Sequence, residues 1–238
     1  ILRKEFINDT SRWLLGFEKQ VEVISRQTTE PISQSDTTRS LVKLYYDGKS
    51  FGNIGAEGMV TRKFFENGSK DVNVYFSYDT WGNVKTVTDG EGHVIEKYYD
   101  NEYHQYLVQE DNPLDQSTHY SRSSRLKLIK KTDTNGVDTH FTYDTFGRVT
   151  KEWTAPDSES EPTKAHEYWY KPEHETPVHK VLTRMDDSTT RETRYFSDAF
   201  GRTVRIKTES ENTYQFITVD TYYDSEGNGY KTSVPYYT

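Results

Sequence analysis

A short turn motif recurs along this chain and restricts what the chain can fold into. The motif is an aspartate, two variable residues, a glycine and a polar residue, usually with a tyrosine before the aspartate. It occurs as YDTWGN, YDTFGR, SDAFGR and YDSEGN, which begin at Tyr78, Tyr143, Ser197 and Tyr223. Four copies of one device in 238 residues indicate a structure that is built by repetition.

Further turn signals lie between these copies, and their spacing is nearly constant. Asp79 and Asp89 are 10 residues apart, and Asp133 and Asp144 are 11 apart. The other predicted turns begin at Asp47, Asn67, Asp198 and Asp224, with turns that lack glycine at Asp100 and Asp187. This period leaves room for strands of about six or seven residues. Residues 41–238 are therefore expected to form about eighteen strands.

The residue types of the motif suit a hairpin corner. An aspartate that begins a turn accepts hydrogen bonds from backbone N–H groups two residues on, and glycine adopts a positive φ at little steric cost. The tyrosine ends the incoming strand, where its ring can pack against a neighbouring strand. The predicted structural turn residues are Tyr78, Asp79, Gly82, Asn83, Asp89, Gly92, Asp133, Gly136, Tyr143, Asp144, Gly147, Arg148, Asp198, Gly201, Arg202, Tyr223, Asp224, Gly227 and Asn228.

The number of strands predicts the fold class. An open twisted sheet of more than about ten strands curls or splits. Two stacked sheets need two consistently apolar inner faces, whereas this chain has many amphipathic aromatic residues, with 19 Tyr and 4 Trp. We therefore predict an all-β protein, a curled single-layer sheet of successive antiparallel hairpins. Residues 1–40 are expected to lead into the repeats, and residues 41–238 to form the repeat sheet with an acidic loop near 155–177.

Composition excludes several classes of function. Lys and Arg number 30 and Asp and Glu 38, so the net charge is −8, which argues against a surface for nucleic acid or an anionic membrane. The chain has no cysteine and therefore no disulfide or thiolate chemistry. No apolar run approaches the roughly 18 residues that a membrane span needs.

Two clusters contain residue types that bind metal ions, but we do not favour a metal site at either. His174, Glu175 and His179 lie close in sequence, but their spacing is not that of the zinc proteases, and nearby prolines forbid the helix that would align them. Asp133 and Asp138, with the asparagine between them, faintly resemble a calcium loop without its acidic twelfth residue. We interpret the first cluster as a solvated loop and the second as turn residues.

Other site patterns also fail. The DGKS sequence around Lys49 lacks the earlier glycine of a phosphate loop. No nucleophile elbow is present, and nothing in the sequence pairs two carboxylates. We expect no catalytic residue, no cofactor and no metal.

The aromatic residues leave a second interpretation open. They could form a sugar-stacking surface, although cross-strand packing is favoured because aromatic pairs stabilise sheets. The residues concerned are Tyr45, Tyr46, Tyr75, Phe76, Tyr98, Tyr99, Tyr168, Trp169, Tyr170, Tyr222 and Tyr223. The alternative function is an extracellular binding or adhesion module, built from these repeated turns, that recognises carbohydrate or protein.

Two full units carry a family resemblance. YDTWGNVKTVTDGEGHVIEKYYD and KTDTNGVDTHFTYDTFGRVTKEW resemble the Rhs, or YD-repeat, family. RWLLGFEKQVEV, LVKLYYDG and FGNIGAEGMVTRK are similar to the entry to the repeats in the B component (TcdB/TcaC-like) of bacterial Tc toxins. One departure is Ser197, which stands where the motif has tyrosine.

The resemblance implies a function by enclosure. It implies a hollow shell of antiparallel strands around an unfolded toxic polypeptide, within a secreted bacterial toxin assembly. The implied partners are other segments of the same shell, a partner shell protein and the enclosed polypeptide. Since the chain begins with Ile rather than Met, we expect it to be an internal piece of such a wall.

Overall fold

The computed structural model describes residues 2–26, 37–66, 71–169, 178–211 and 215–238. These residues form 19 β-strands and no helix, which confirms the all-β prediction. Within the same ranges, no helix has the length and apolar character needed to cross a bilayer.

The chain divides into two compact units, residues 1–119 and 120–238. The strands of the first unit are β1 (Leu2–Asp9), β2 (Leu14–Arg26), β3 (Thr37–Tyr46), β4 (Val60–Glu66), β5 (Val72–Tyr78), β6 (Val84–Thr88), β7 (Val94–Tyr99), β8 (Leu107–Asp111) and β9 (Ser117–Arg122), whose second half belongs to the second unit. The strands of the second unit are β10 (Leu128–Thr132), β11 (Asp138–Tyr143), β12 (Val149–Thr154), β13 (Lys164–Tyr168), β14 (His179–Arg184), β15 (Thr190–Ser197), β16 (Thr203–Glu209), β17 (Phe216–Tyr223), β18 (Gly229–Thr232) and β19 (Tyr236–Tyr237).

Strand order follows chain order in each unit. In the first unit, each strand pairs antiparallel with the next, from β1 to β9. In the second unit the same holds from β10 to β17, and β18 and β19 both pair with β17 as one interrupted return strand. Within a unit, the turns after odd-numbered strands therefore lie at one end of the sheet and the turns after even-numbered strands at the other.

Each unit is a single layer with very little interior. Its extensive contacts are those between hydrogen-bonded neighbours, so each unit is a meander of successive hairpins. Among the described residues, only Leu41, Tyr46 and Ile54 in the first unit and Val181 in the second are buried apolar side chains. A sandwich of two stacked sheets needs two apolar inner faces, and this burial pattern does not provide them.

Cross-strand side-chain pairs take over much of the role of a core. The hydroxyl oxygens of Ser77 and Thr86 are 2.6 Å apart on neighbouring strands, and those of Thr139 and Thr154 are 3.0 Å apart. The Arg62 guanidinium lies 3.5 Å from the Tyr45 ring centroid. Pairs of these kinds each stabilise a sheet by roughly 0.2–1 kcal/mol.

The segment predicted as an acidic loop contains a strand. Residues 155–163 form the loop, and β13 follows it. Arg184 holds the loop, since its Nη1 is 2.9 Å from Glu161 Oε2 and its Nε is 3.5 Å from Asp157 Oδ1. The rest of the predicted loop, with His174, Glu175 and Tyr170, lies outside the described residues, as does the Asn67 turn.

A row of stacked rings crosses β13, β14 and β15. The His179 ring stacks on Tyr168 at 4.5 Å and on Tyr195 at 5.2 Å between centroids. Nδ1 of His166 and Nε2 of His179 are 3.0 Å apart, so one proton is shared between the two imidazoles. Burial lowers the pKa of His166, and burial and the charges of His166 and Arg148 lower the pKa of His179.

This histidine pair predicts a pH dependence of stability. Because the folded pKa values lie below the ordinary 6.5, the unfolded chain binds more protons and stability falls as pH drops through 6.5. Of the nearby charges, Lys164 and Arg148 oppose protonation, and Glu152 favours it at His166. We expect His166→Gln to flatten the fall in unfolding free energy between pH 7.5 and 5, measured by urea unfolding.

The exposed His119 supplies the matched control. His119→Gln should leave the pH dependence of the parent protein unchanged. Equal flattening by both substitutions would contradict the assignment to the pair.

Candidate functional site: the repeated corner

The corner that begins at Asp144 shows how the motif closes a hairpin. Asp144 Oδ1 accepts hydrogen bonds from the backbone N–H groups of Phe146 and Arg148, each at 2.9 Å. Asp144 Oδ2 accepts one from Arg148 Nε at 2.7 Å. The Asp144 N–H donates to the Arg148 carbonyl, and the Gly147 N–H donates to the Asp144 carbonyl. One carboxylate thus binds the third and fifth residues of a five-residue turn.

The same geometry recurs at the other predicted corners with glycine. In each, Oδ1 of the aspartate accepts the N–H groups of the third and fifth residues at 2.8–3.0 Å. These corners span 79–83, 89–93, 133–137, 198–202 and 224–228.

The fourth residue of each corner has a positive φ. The glycines concerned have φ between 78° and 90°, and they are Gly82, Gly92, Gly136, Gly147, Gly201 and Gly227. At Gly201, a Cβ would meet no atom within 4 Å, so the backbone angle alone requires glycine there.

In five of the six corners, the fifth residue supplies a second clamp that motif reasoning did not anticipate; the exception is the 133–137 corner, whose fifth residue is Val137. Asn83 Nδ2 donates to Asp79 Oδ2 at 2.9 Å, and Arg202 Nε donates to Asp198 Oδ2 at 2.7 Å. The hydrogen bond from Arg202 lowers the pKa of Asp198. His93 bonds to Asp89, which raises the His93 pKa and lowers that of Asp89. Asn228 likewise contacts Asp224 at 3.3 Å. A donor four residues after the aspartate is the sequence signal for this clamp.

Two further corners of this type have neither aspartate at the first position nor glycine at the fourth. Asn112 Oδ1 accepts the N–H groups of Leu114 and Gln116, and Ser123 Oγ accepts those of Arg125 and Lys127. Their fourth residues, Asp115 and Leu126, have φ of 57° and 62°. Sequence reasoning missed both because they lack the first-position aspartate as well as the glycine, although their places fit the spacing between Asp100 and Asp133.

Three predicted turns differ from the five-residue form. The Asp100 carboxylate accepts four backbone N–H groups, from residues 102 to 106, and closes a longer turn. The Asp47 carboxylate binds the amides of Gly55 and Met59 in a wide loop. In the MDDSTT turn the accepting carboxylate is Asp186, whereas we predicted Asp187.

A tyrosine at the end of a strand forms a second link at one end of each unit. It precedes the turn aspartate in five of six cases, and Tyr168 precedes Trp169 instead. The tyrosine hydroxyl donates to a carbonyl of the preceding strand. In five of six cases, the accepting carbonyl belongs to that strand's first residue. The bonds are Tyr46 to Glu18, Tyr78 to Val60, Tyr99 to Val84, Tyr143 to Leu128, Tyr168 to Val149 and Tyr223 to Thr203, at 2.6–3.0 Å. The hydroxyl therefore links the end of its own strand to the preceding strand.

A one-residue bulge accompanies the corners at this same end. The pairing register shifts immediately before the last residue of β3, β5, β7, β11, β15 and β17. At the other end, the corners after β6, β8 and β10 keep a regular register. Because a bulge increases local right-handed twist, the two ends of each sheet differ in twist as well as in tyrosine content. Ser197 keeps the bulge without a phenolic hydroxyl.

The candidate ligand clusters are occupied by other contacts. Asp133 Oδ1 binds two backbone amides, including that of Asn135, while Asp138 binds Thr132 and Lys130. Within the described part of the chain, no group of three or more His, Asp or Glu side chains could hold a metal ion. Lys49 lies in the wide loop whose amides bind Asp47.

A repeat-family model matches part of the second unit. The RHS repeat family model matches residues 122–157, which contain the corners at Ser123, Asp133 and Asp144. No curated protein matches the chain in sequence.

Solved structures share the fold. The crystal structure of TcdB2-TccC3 is similar with a TM-score of 0.59 and 14% identity over 99% of this chain. Those of TcdB2-TccC3-Cdc42 and TcdB2-TccC3-TEV give 0.58 and 0.54, each with 12% identity over 99%. This chain covers 18%, 20% and 20% of those three chains, or about a fifth of their length. The resemblance to YD-repeat proteins of Tc toxins found in the sequence is thereby confirmed.

The corner geometry predicts the effect of replacing its glycine. Gly201→Val should lower the free energy of unfolding by about 2–3 kcal/mol, because a β-branched residue is strained at positive φ. Gly201→Asn should cost about 1 kcal/mol or less, since asparagine tolerates this region. Urea unfolding measures both. Equal losses for the two variants would show that backbone conformation is not the cause.

Proposed function

We propose that this chain is a segment of the wall of a YD-repeat β-shell in a Tc-type toxin complex, and that the shell encloses a toxic polypeptide. The observation that carries the proposal is the repetition of one clamped corner along a single-layer sheet whose fold matches TcdB2-TccC3. The role is structural: the chain acts by containment rather than by catalysis. The predicted YD-turn residues are the parts that maintain the wall.

The single layer suits a wall. Nearly all its side chains reach solvent on one face or the other, and only four apolar side chains among the described residues are buried. A sheet of this kind separates two aqueous spaces without needing a second layer. Hydrogen-bonded strands leave no gap that an unfolded chain could cross.

The bulges support a curved wall. They lie at one end of each unit, after odd-numbered strands, where they increase local twist. Because the bulges recur at one end of each unit and not at the other, they favour a sheet that curls. Enclosure requires a sheet of this shape.

The edges imply partners of the same kind. Among the strand registers of the described residues, β1 pairs with β2, and we infer that its other side presents unpaired backbone groups. Such edges are normally covered by pairing. We infer that other segments of the same shell, or a partner shell protein, cover them, and that residues 1–40 lead into the repeats of 41–238.

Protection of an internal polypeptide tests this function. The full-length product of the gene that encodes these residues should be purified under native conditions and treated with proteinase K. We expect one polypeptide segment to remain intact until mild denaturation opens the wall, as followed by mass spectrometry. A variant with both Gly147→Val and Gly201→Val should lose that protection at a lower denaturant concentration. Digestion of all segments at one common rate in the native protein would contradict enclosure.

A further inference from the structure

An open cavity of ≈ 470 Å³ lies in the second unit, on one face of β10 and β11. It extends between the corners 123–127 and 144–148. Its apolar lining comes from Ile129, Phe141, Tyr143 and Phe146, and its cationic lining from Arg125 and Lys127. The volume is within the range of ligand-binding pockets, about 300–1,000 Å³.

The aromatic side chain at the rim is not one of the hydrogen-bonding groups that close its corner. Phe146 is the third residue of the Asp144 corner, where its backbone N–H is bound. The Arg148 guanidinium lies 5.2 Å from its ring centroid, and the residue is still 84% exposed. Some corners have non-aromatic residues at this third position, namely Glu91, Leu114, Asn135 and Glu226. The turn therefore does not require an aromatic ring, and most of the Phe146 side chain remains exposed for a further contact.

The charge of the cavity is positive although the chain is acidic. No ion pair joins Arg125 or Lys127 to a carboxylate among the described residues. The lining carboxylate, Asp144, is already bound by Arg148 at 2.7 Å and by two backbone amides. Lys127 Nζ lies 5.9 Å from the Tyr143 ring centroid, on the same side as the apolar lining. Two cations thus flank an apolar surface in a protein of net charge −8.

This combination selects a carboxylate with an apolar neighbour. The amides of the third, fourth and fifth residues of both corners donate within their own turns. They leave no cluster of free N–H groups to cradle a phosphate. A carboxylate instead matches the planar guanidinium of Arg125, and a large apolar side chain fits against Ile129, Phe141 and Phe146.

We infer that this cavity is a docking site for an extended polypeptide segment that carries a large apolar side chain beside acidic residues. The apolar side chain contacts the Ile129 and Phe146 face, and the flanking carboxylates pair with Arg125 and Lys127. This inference does not depend on enclosure, since it concerns only the surface of β10, β11 and their two corners.

Peptide titration of the ¹⁵N-labelled chain tests the site. The probe is the blocked peptide SEFDS, and its controls are SQFNS, without charge, and SESDS, without the apolar side chain. We expect SEFDS to shift the amide signals of Arg125, Lys127 and Phe146, and each control to bind at least tenfold more weakly. Benzoate and adenosine monophosphate are titrated in parallel.

Substitutions at exposed positions localise the binding. Phe146→Ser and Lys127→Gln should each weaken SEFDS binding at least tenfold, and Arg125→Gln should do likewise. Phe200→Ser is the matched control, because Phe200 is also 84% exposed at the third position of a corner. It should leave the affinity unchanged.

Several outcomes would overturn the inference. They are the absence of SEFDS binding, equal binding of the three peptides, and an equal loss of affinity in the Phe200→Ser variant. Binding of benzoate or adenosine monophosphate as tight as that of SEFDS would assign the cavity to a small anion or a nucleotide instead.

Discussion

The carboxylate that binds two backbone amides of its own turn is the interaction on which these sheets depend. A single layer lacks the buried apolar surface that stabilises most domains, and only four apolar side chains are buried among the described residues. Apart from β2 and β3, the strands have eight residues or fewer, so each ladder offers few hydrogen bonds between one reversal and the next. The reversal must therefore be strongly specified by local chemistry. Asp144 illustrates this, since it fixes its corner by three hydrogen bonds from one side chain.

Corners at one end of each unit are linked to one another as well as closed. The hydroxyl of Tyr143 reaches the carbonyl of Leu128, the first residue after the preceding corner at that end. The bulge beside each such corner adds twist at the same end. Strain or loosening at one corner is then transmitted to its neighbour through a short hydrogen bond. The links between corners and the added twist thus lie at the same end of each unit.

Sequence reasoning found the fold class and the corners that carry Asp and Gly, because those residues have strong local reasons to form turns. It missed the corners at Asn112 and Ser123, where Asp115 and Leu126 adopt a positive φ despite their Cβ atoms. It chose Asp187 over Asp186 because the 11-residue period favoured the former, whereas the hydrogen bonds centre on the latter. Spacing alone does not decide between adjacent carboxylates.

The tyrosine hydroxyl bonds and the cavity beside Phe146 could not be predicted in the same way. They join residues on different strands, so they depend on register. A bulge shifts that register by one residue at five of the six tyrosines, and Tyr168 is the exception. The clamp between Asp198 and Arg202 could have been predicted from the sequence, since donor and acceptor are only four residues apart. Contacts between residues close in sequence can thus be predicted from the sequence, whereas contacts between strands can be predicted only when the strand register is known.

Hydrogen exchange of the corner amides tests the central claim most directly. The amides of Trp81, Asn83, Phe146 and Arg148 lie in turns with exposed side chains, yet each donates to a carboxylate. Measured by NMR under native conditions, they should exchange as slowly as the amides in the middle of β5 and β11. If the corner amides exchanged at the rate of an unstructured peptide while the strand amides stayed protected, the central claim would be contradicted. The strand ladders, and not the corner hydrogen bonds, would then stabilise the sheet.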